Sequence, residues 1–99
     1  EGHIFIAAID GCSGNLALIR EGSTDQASGQ PIPDFGSMVV EYIEKKLNGE
    51  TIEEGTVVKD GALWSPAQLV MTDVGFQLYL STTDISIDNV ENPGLWGNQ

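Results

Sequence analysis

One aspartate, Asp10, has the sequence surroundings of a ligand-binding side chain. It follows an apolar run at residues 4–9, which contains three isoleucines and a phenylalanine, and it precedes Gly11. An unbroken run of β-branched and aromatic residues of this length is typical of a strand buried on both faces of a parallel sheet. Ligands bind at the carboxyl ends of such strands in open α/β sheets. Asp10 is therefore the first candidate binding residue.

Two nearby patterns resemble known binding loops only in part. Residues 11–14 suggest a phosphate-binding turn, but they lack the GxGxxG spacing and the lysine of a P-loop. Residues 84–88 imitate the start of a calcium loop, whose sixth and twelfth positions would be Asn89 and Leu95 in place of glycine and glutamate. We expect neither a phosphate site nor a calcium site.

Nucleophilic and metal-ligating side chains are scarce. The chain has one cysteine, Cys12, and one histidine, His3. A single cysteine forms no internal disulfide, and the sequence contains neither zinc-ligand spacing nor a Ser/His/Asp grouping. Asp10 could also accept a phosphoryl group, as in a receiver-like small α/β domain, although no acidic pair and lysine stand out beside it. We predict a protein that is not an enzyme and that carries no metal or cofactor.

Length and charge limit the function further. The 99 residues allow one small domain, and four basic against fifteen acidic side chains give a formal net charge of −11. A surface with this negative charge repels phosphate backbones and anionic headgroups. We therefore expect no nucleic-acid partner and no binding to membrane surfaces. No apolar run approaches the roughly 20 residues that a membrane-spanning helix requires.

The clearest predicted element is a helix over residues 34–47. We expect Asp34 to be its N-cap, Glu41 and Lys45 to form an i,i+4 pair, and Gly49 to stop it. Apolar side chains recur at three- and four-residue steps and form one stripe that should pack on a sheet: Phe35, Met38, Val39, Tyr42, Ile43 and Leu47.

Shorter elements surround this helix. A turn after Gly11 leads into a short helix over residues 16–22, closed by glycine. Residues 23–30 are too polar to predict a strand firmly, and the prolines at 31–33 indicate an extended crossing. A short strand is expected around residues 56–58, and residues 62–82 fit either strands or a helix.

Several of these segments, in this order and spacing, resemble the last third of periplasmic sugar-binding proteins, the ribose/galactose-like solute receptors of ABC importers. The resemblance covers residues 4–58 and 83–98, whereas residues 62–82 look like an insertion. The segments that carry it are Ile9-Asp10-Gly11, Arg20-Glu21-Gly22, Gly29-Gln30-Pro31, Asp34-Phe35-Gly36 and the tail from Ile87 to Asn98.

The resemblance implies a type I periplasmic-binding-protein-like fold, a three-layer αβα arrangement with a parallel sheet, which this chain would hold only in part. Residues 1–30 would form a strand, helix and strand of the C-terminal lobe, and residues 31–33 a hinge crossing. Residues 34–58 would return to the other lobe as a helix and a strand. Residues 59–99 would supply a third crossing, the insertion and the C-terminal tail. The chain would thus be a C-terminal fragment of a two-lobe protein.

The same resemblance implies that Asp10 and Gln30 bind a monosaccharide. A carboxylate accepts two hydroxyl hydrogen bonds, and a glutamine amide both donates and accepts. The expected role is carbohydrate binding in the periplasm, or outside a Gram-positive cell on a lipid anchor, with a membrane ABC permease as partner. We expect a missing N-terminal portion or self-association to complete the fold. The effector-binding domain of a LacI-type regulator is the alternative within this fold.

Overall fold

A computed structural model describes residues 2–99 as two units joined by two chain crossings. The first crossing is at Gln30 and Pro31, and the second is at residues 80–82. In chain order the elements are β1 (Ala7–Asp10), α1 (Ser13–Arg20), β2 (Gln26–Gly29), α2 (Ile32–Leu47), β3 (Gly55–Val57), β4 (Ala67–Thr72), β5 (Gly75–Tyr79), β6 (Thr83–Ile85) and a 3₁₀ helix (Trp96–Asn98).

Each unit has its own three-stranded sheet. In the first, β2 lies between β1, which is parallel to it, and β6, which is antiparallel. In the second, β3, β4 and β5 are antiparallel throughout. The mixed α/β class predicted from the sequence is confirmed. The chain contains one parallel strand pair among residues 2–99, and not the extended parallel sheet that we expected.

Two separate cores match the two units. In the first, buried side chains of α1 and of the C-terminal tail pack with buried side chains of β2 and β6, and together they form one cluster: Leu16, Ile19, Ala27, Ile85, Val90 and Leu95. In the second, Met38 of α2 packs with Trp64 and Ala67 beside half-buried side chains of the second sheet. The molecule is elongated, 60 × 27 × 19 Å, with a radius of gyration of 16.5 Å. A compact chain of this length has about 13 Å.

The prediction that residues 4–9 form a strand buried on both faces is wrong. Only Ala7–Asp10 is a strand, and the side chains of Ile4, Phe5 and Ile9 are 79%, 64% and 67% exposed. Helix α1 and the tail cover one face of this sheet, and β1 pairs on one edge only. The described residues place no helix or strand on the opposite face. The apolar run therefore stays exposed, although its composition is typical of buried residues.

Helix α2 begins two residues earlier than predicted. Pro31 holds the N-cap position, in place of Asp34, and Pro33 lies within the first turn. Proline is tolerated there because the first helical N–H groups have no intrahelical acceptor. The extended crossing predicted at 31–33 is therefore shorter, since Ile32 and Pro33 already belong to the helix.

Other local predictions are confirmed. Both glycines expected to end helices have positive φ, +75° at Gly22 and +77° at Gly49, and the following N–H groups bond back to carbonyls of the last turn. Lys45 donates to Glu41 at 2.8 Å. Of the two alternatives for residues 62–82, the strands are correct, as the β4–β5 hairpin. No helix in residues 2–99 combines the length and apolar character needed to cross a bilayer.

Candidate functional site

Asp10 is the last residue of β1, and its backbone is strained. Its φ is +90°, a conformation that a residue with a side chain rarely adopts. The carbonyl oxygen accepts two hydrogen bonds, from the Gln30 backbone N–H at 3.0 Å and from Trp96 Nε1 at 2.7 Å. The carboxylate is exposed, and it makes no hydrogen bond to residues 2–99. Its acceptor oxygens are free for a ligand.

Gln30 occupies the matching place beside Asp10. Asp10 lies opposite Gly29 in the parallel register of β1 and β2, so Gln30 is the first residue beyond the carboxyl end of β2. Its half-buried side chain makes no hydrogen bond to the described residues. The structure thus places both predicted site residues at one sheet edge. They differ in surroundings, because Gln30 lines a cavity between the two units and Asp10 lies next to that cavity without lining it.

Close backbone packing fixes this edge. A Cβ atom on Gly29 would lie 2.7 Å from Ile85 Cδ1 and 3.2 Å from the Thr83 carbonyl oxygen. Gly11, with φ at +71°, would place a Cβ 3.1 Å from the Gly29 Cα. Glycine is required at both positions because β1, β2 and β6 converge here with no room for a side chain.

The cavity beside Gln30 encloses about 360 Å³. That volume lies within the range of small-molecule sites. Its lining combines aromatic, amide and charged side chains from both units: Gln30, Asp34, Lys59, Asp60, Trp64, Trp96 and Gln99, with Pro31, Thr83 and several small residues between them. No sequence pattern indicates that these residues meet, because they come from segments far apart in the chain.

The C-terminal tail forms one wall of the cavity and is held by Arg20. The Arg20 guanidinium donates to Glu91 Oε1 at 2.7 Å and to Asn98 Oδ1 at 2.6 Å. Asn98 in turn donates to the Val90 carbonyl at 2.8 Å. The hydrogen bond from Arg20 lowers the pKa of the Glu91 carboxyl below its usual value. No sequence pattern indicates these two contacts of Arg20, which join residues more than 70 positions apart.

Two further features lie outside the site. The Asp25 carboxylate accepts from the Ile6 N–H at 2.7 Å and contacts His3 Nε2 at 2.6 Å, and these bonds lower its pKa. Cys12 is partly buried at the N-cap of α1, with its Sγ 3.4 Å from Asn15 Oδ1. Neither group reaches the cavity.

Charged side chains in residues 2–99 do not gather as metal ligands. No group of three or more His, Cys, Asp or Glu side chains there could hold an ion. The receiver-like alternative requires an acidic pair beside Asp10 for its metal, and the described chain does not provide that arrangement.

No family model matches this chain, and no curated protein matches it. The resemblance to sugar receptors therefore remains a prediction. The geometry provides the carboxylate of Asp10 and the amide of Gln30 at one sheet edge, beside a cavity lined by two tryptophans. Neither group has a hydrogen-bond partner among residues 2–99.

Proposed function

We propose that this chain is a binding module, not an enzyme, and that it contributes Asp10 and Gln30 to a site for a monosaccharide. One observation carries the proposal. The two side chains follow neighbouring parallel strands at the same edge, with Gln30 opening onto a cavity of about 360 Å³. Carboxyl edges of parallel strands are the usual location of ligands in α/β sheets.

The free hydrogen-bonding groups suit hydroxyl ligands. The Asp10 carboxylate only accepts, whereas the Gln30 amide offers two donors and an acceptor, so together they match the dual character of a hydroxyl. Hydrogen bonds to a charged group contribute about 1.5–3 kcal/mol each. The strained φ of Asp10 supports a binding role as well, since such strain is found mainly at functional sites.

The exposed apolar residues support a larger assembly. β1 has an unpaired edge, and Ile4, Phe5 and Ile9 lie uncovered beside it. Exposed strand edges and apolar patches of this kind are normally covered in a finished protein. We propose that further strands, from additional chain or from a partner, complete a three-layer parallel fold. In that assembly the protein would be the periplasmic or surface-anchored solute receptor of an ABC permease.

The test follows individual side chains during sugar titration. Neutral monosaccharides, among them glucose, galactose, ribose and xylose, are titrated to about 50 mM while the NMR signals of the Gln30 side-chain amide are recorded. We expect one sugar to shift those signals saturably. Asp10→Asn should raise the dissociation constant at least tenfold, the equivalent of about 1.4 kcal/mol, because the charged acceptor is lost.

A matched control separates this effect from net charge. Asp73→Asn makes the same chemical change in the β4–β5 turn, in the other unit and outside the cavity. It should leave the dissociation constant unchanged. Asparagine tolerates positive φ nearly as well as aspartate, so Asp10→Asn should keep the turn intact. The proposal is refuted if no sugar binds, or if the two variants weaken binding equally.

A further inference from the structure

The cavity between the two units contains charges that the predicted sugar contacts do not use. Asp34 and Asp60 both belong to its lining, and neither carboxylate makes a hydrogen bond or ion pair with residues 2–99. No direct partner among the described residues therefore neutralises either carboxylate. Any ligand that fills the cavity must be compatible with these two negative charges.

Lys59 is the one cationic side chain in the lining, and it forms no ion pair with either carboxylate. Its Nζ lies 4.0 Å from Met38 Sδ and 5.9 Å from the centre of the Trp64 ring. A cation–π contact leaves the ammonium charged, so Lys59 offsets one of the two carboxylates and not both. The lining therefore keeps a net negative charge, within a chain whose formal net charge is −11.

The Trp64 side chain, which belongs to the same lining, carries a buried polar atom. Trp64 is 1% exposed and lines the cavity, and its Nε1 is a buried donor without a hydrogen-bond partner among the described residues. Buried donors are nearly always paired in folded proteins. This indole leaves one donor unsatisfied beside a cavity whose other aromatic wall, Trp96, already donates to Asp10.

We infer that this cavity selects its ligand by charge. It accepts a neutral or amino sugar and excludes acidic ones, with Asp34 and Asp60 as the specificity-determining residues. The inference rests on the proposed function, since it concerns the same site. An acidic ligand would lose hydration on entry and meet two carboxylates, of which the single ammonium of Lys59 can offset only one. Such repulsion gives specificity by penalising the wrong ligand.

The experiment compares three ligands with one ring skeleton: glucose, glucosamine and glucuronate. Their dissociation constants are measured by calorimetry or NMR at low ionic strength and pH 7, where glucosamine is largely cationic and glucuronate is anionic. If another of the titrated sugars is the one that binds, its amino and acid forms replace them. We expect the acid to bind at least tenfold more weakly than the neutral sugar, and the amino sugar to bind at least as well.

Two double variants decide the cause. Asp34→Asn with Asp60→Asn should reduce the preference for the neutral sugar over the acid to less than about threefold. Asp73→Asn with Asp88→Asn removes the same two charges outside the cavity lining, and it should keep the tenfold preference. Added salt should weaken the preference in the unmodified chain, because ions screen these charges.

The possible results distinguish failure of charge selection from failure of the proposed sugar site. Failure of every neutral, amino and acidic sugar tested to bind would overturn the proposed sugar site, and charge selection with it. Binding of neutral and acidic sugars with equal affinity would overturn charge selection alone. So would a preference that survives Asp34→Asn with Asp60→Asn, or one that is lost equally in the control variant.

Discussion

Replacing Gly97 with alanine should loosen the C-terminal tail from the Asp10–Gly11 turn. A Cβ at Gly97 would overlap the Gly11 carbonyl oxygen and lie 2.8 Å from both the Cys12 carbonyl carbon and Leu16 Cδ1. Two of these three atoms are backbone, in a turn that itself has no space to move, because Gly11 packs against Gly29 and Ile85. The tail must therefore move away.

The magnitude follows from the cost of overpacking. Forcing a methyl group into a packed site costs about 1–3 kcal/mol. With a urea m-value of about 1–2 kcal/mol/M for a chain of this size, the unfolding midpoint should fall by roughly 1 M. Tryptophan fluorescence is a suitable probe, since Trp96 lies beside the substituted residue.

Gly94→Ala is the matched control in the same tail. Its added Cβ would meet Asn92 Oδ1 and Leu63 Cδ1, both at 3.2 Å, and the Asn92 oxygen also accepts a hydrogen bond from the Gly94 N–H at 2.8 Å. This variant should lose less stability than Gly97→Ala, because its neighbours are side-chain atoms and not backbone. Equal midpoints for Gly97→Ala and the unmodified chain would refute the view that tail packing holds the turn.

Two further predictions concern α2 and the N-terminal strand. Gly36→Ala should stabilise the chain by about 0.5–1 kcal/mol in urea unfolding, because Gly36 is an exposed helical residue with open space around it; a lower midpoint would contradict this. Hydrogen bonds from the Ile6 N–H and then from His3 lower the pKa of Asp25 in the folded state. The stabilisation that the Asp25 carboxylate provides is therefore complete above its pKa in the unfolded chain, about 3.9. That effect is lost as the pH falls through the folded pKa, so the unfolding midpoints of Asp25→Asn and the unmodified chain should converge below about pH 4; a constant difference from pH 7 to pH 2.5 would count against it.

Local predictions succeed where the structure depends on near neighbours. The ends of α1 and α2 at Gly22 and Gly49 follow from backbone sterics, and the position of Asp10 at the end of a strand follows from the apolar run and the turn beside it. The apolar stripe of α2 is predicted to pack on a sheet, but only Met38 of its six side chains is buried. Gln30 is implied by the resemblance to sugar receptors and not by the local sequence.

The predictions that were wrong or absent concern residues whose partners lie far away in the sequence. β2 (Gln26–Gly29) looks too polar for a strand, yet it is central because β1 and β6 pair with both of its edges, which overrides weak propensity. The apolar run at residues 4–9 indicates a need for burial but not whether the chain supplies the cover. The contact of Arg20 with Asn98 has no sequence signal at all.

The strained turn at Asp10 connects these long-range contacts to the site. Three parts of the chain hold it: the Gln30 N–H, the Trp96 indole and the backbone at Gly97. Strain at a non-glycine residue persists only where its surroundings over-determine the conformation. Asp10 is thus fixed to the first unit, whereas Asp34 and Asp60 belong to the second, beyond the short crossing at Gln30 and Pro31. A rotation between the units would therefore change the cavity and its charges while leaving the Asp10 carboxylate in place. We expect ligand affinity and ligand charge preference to respond differently to substitutions at Pro31.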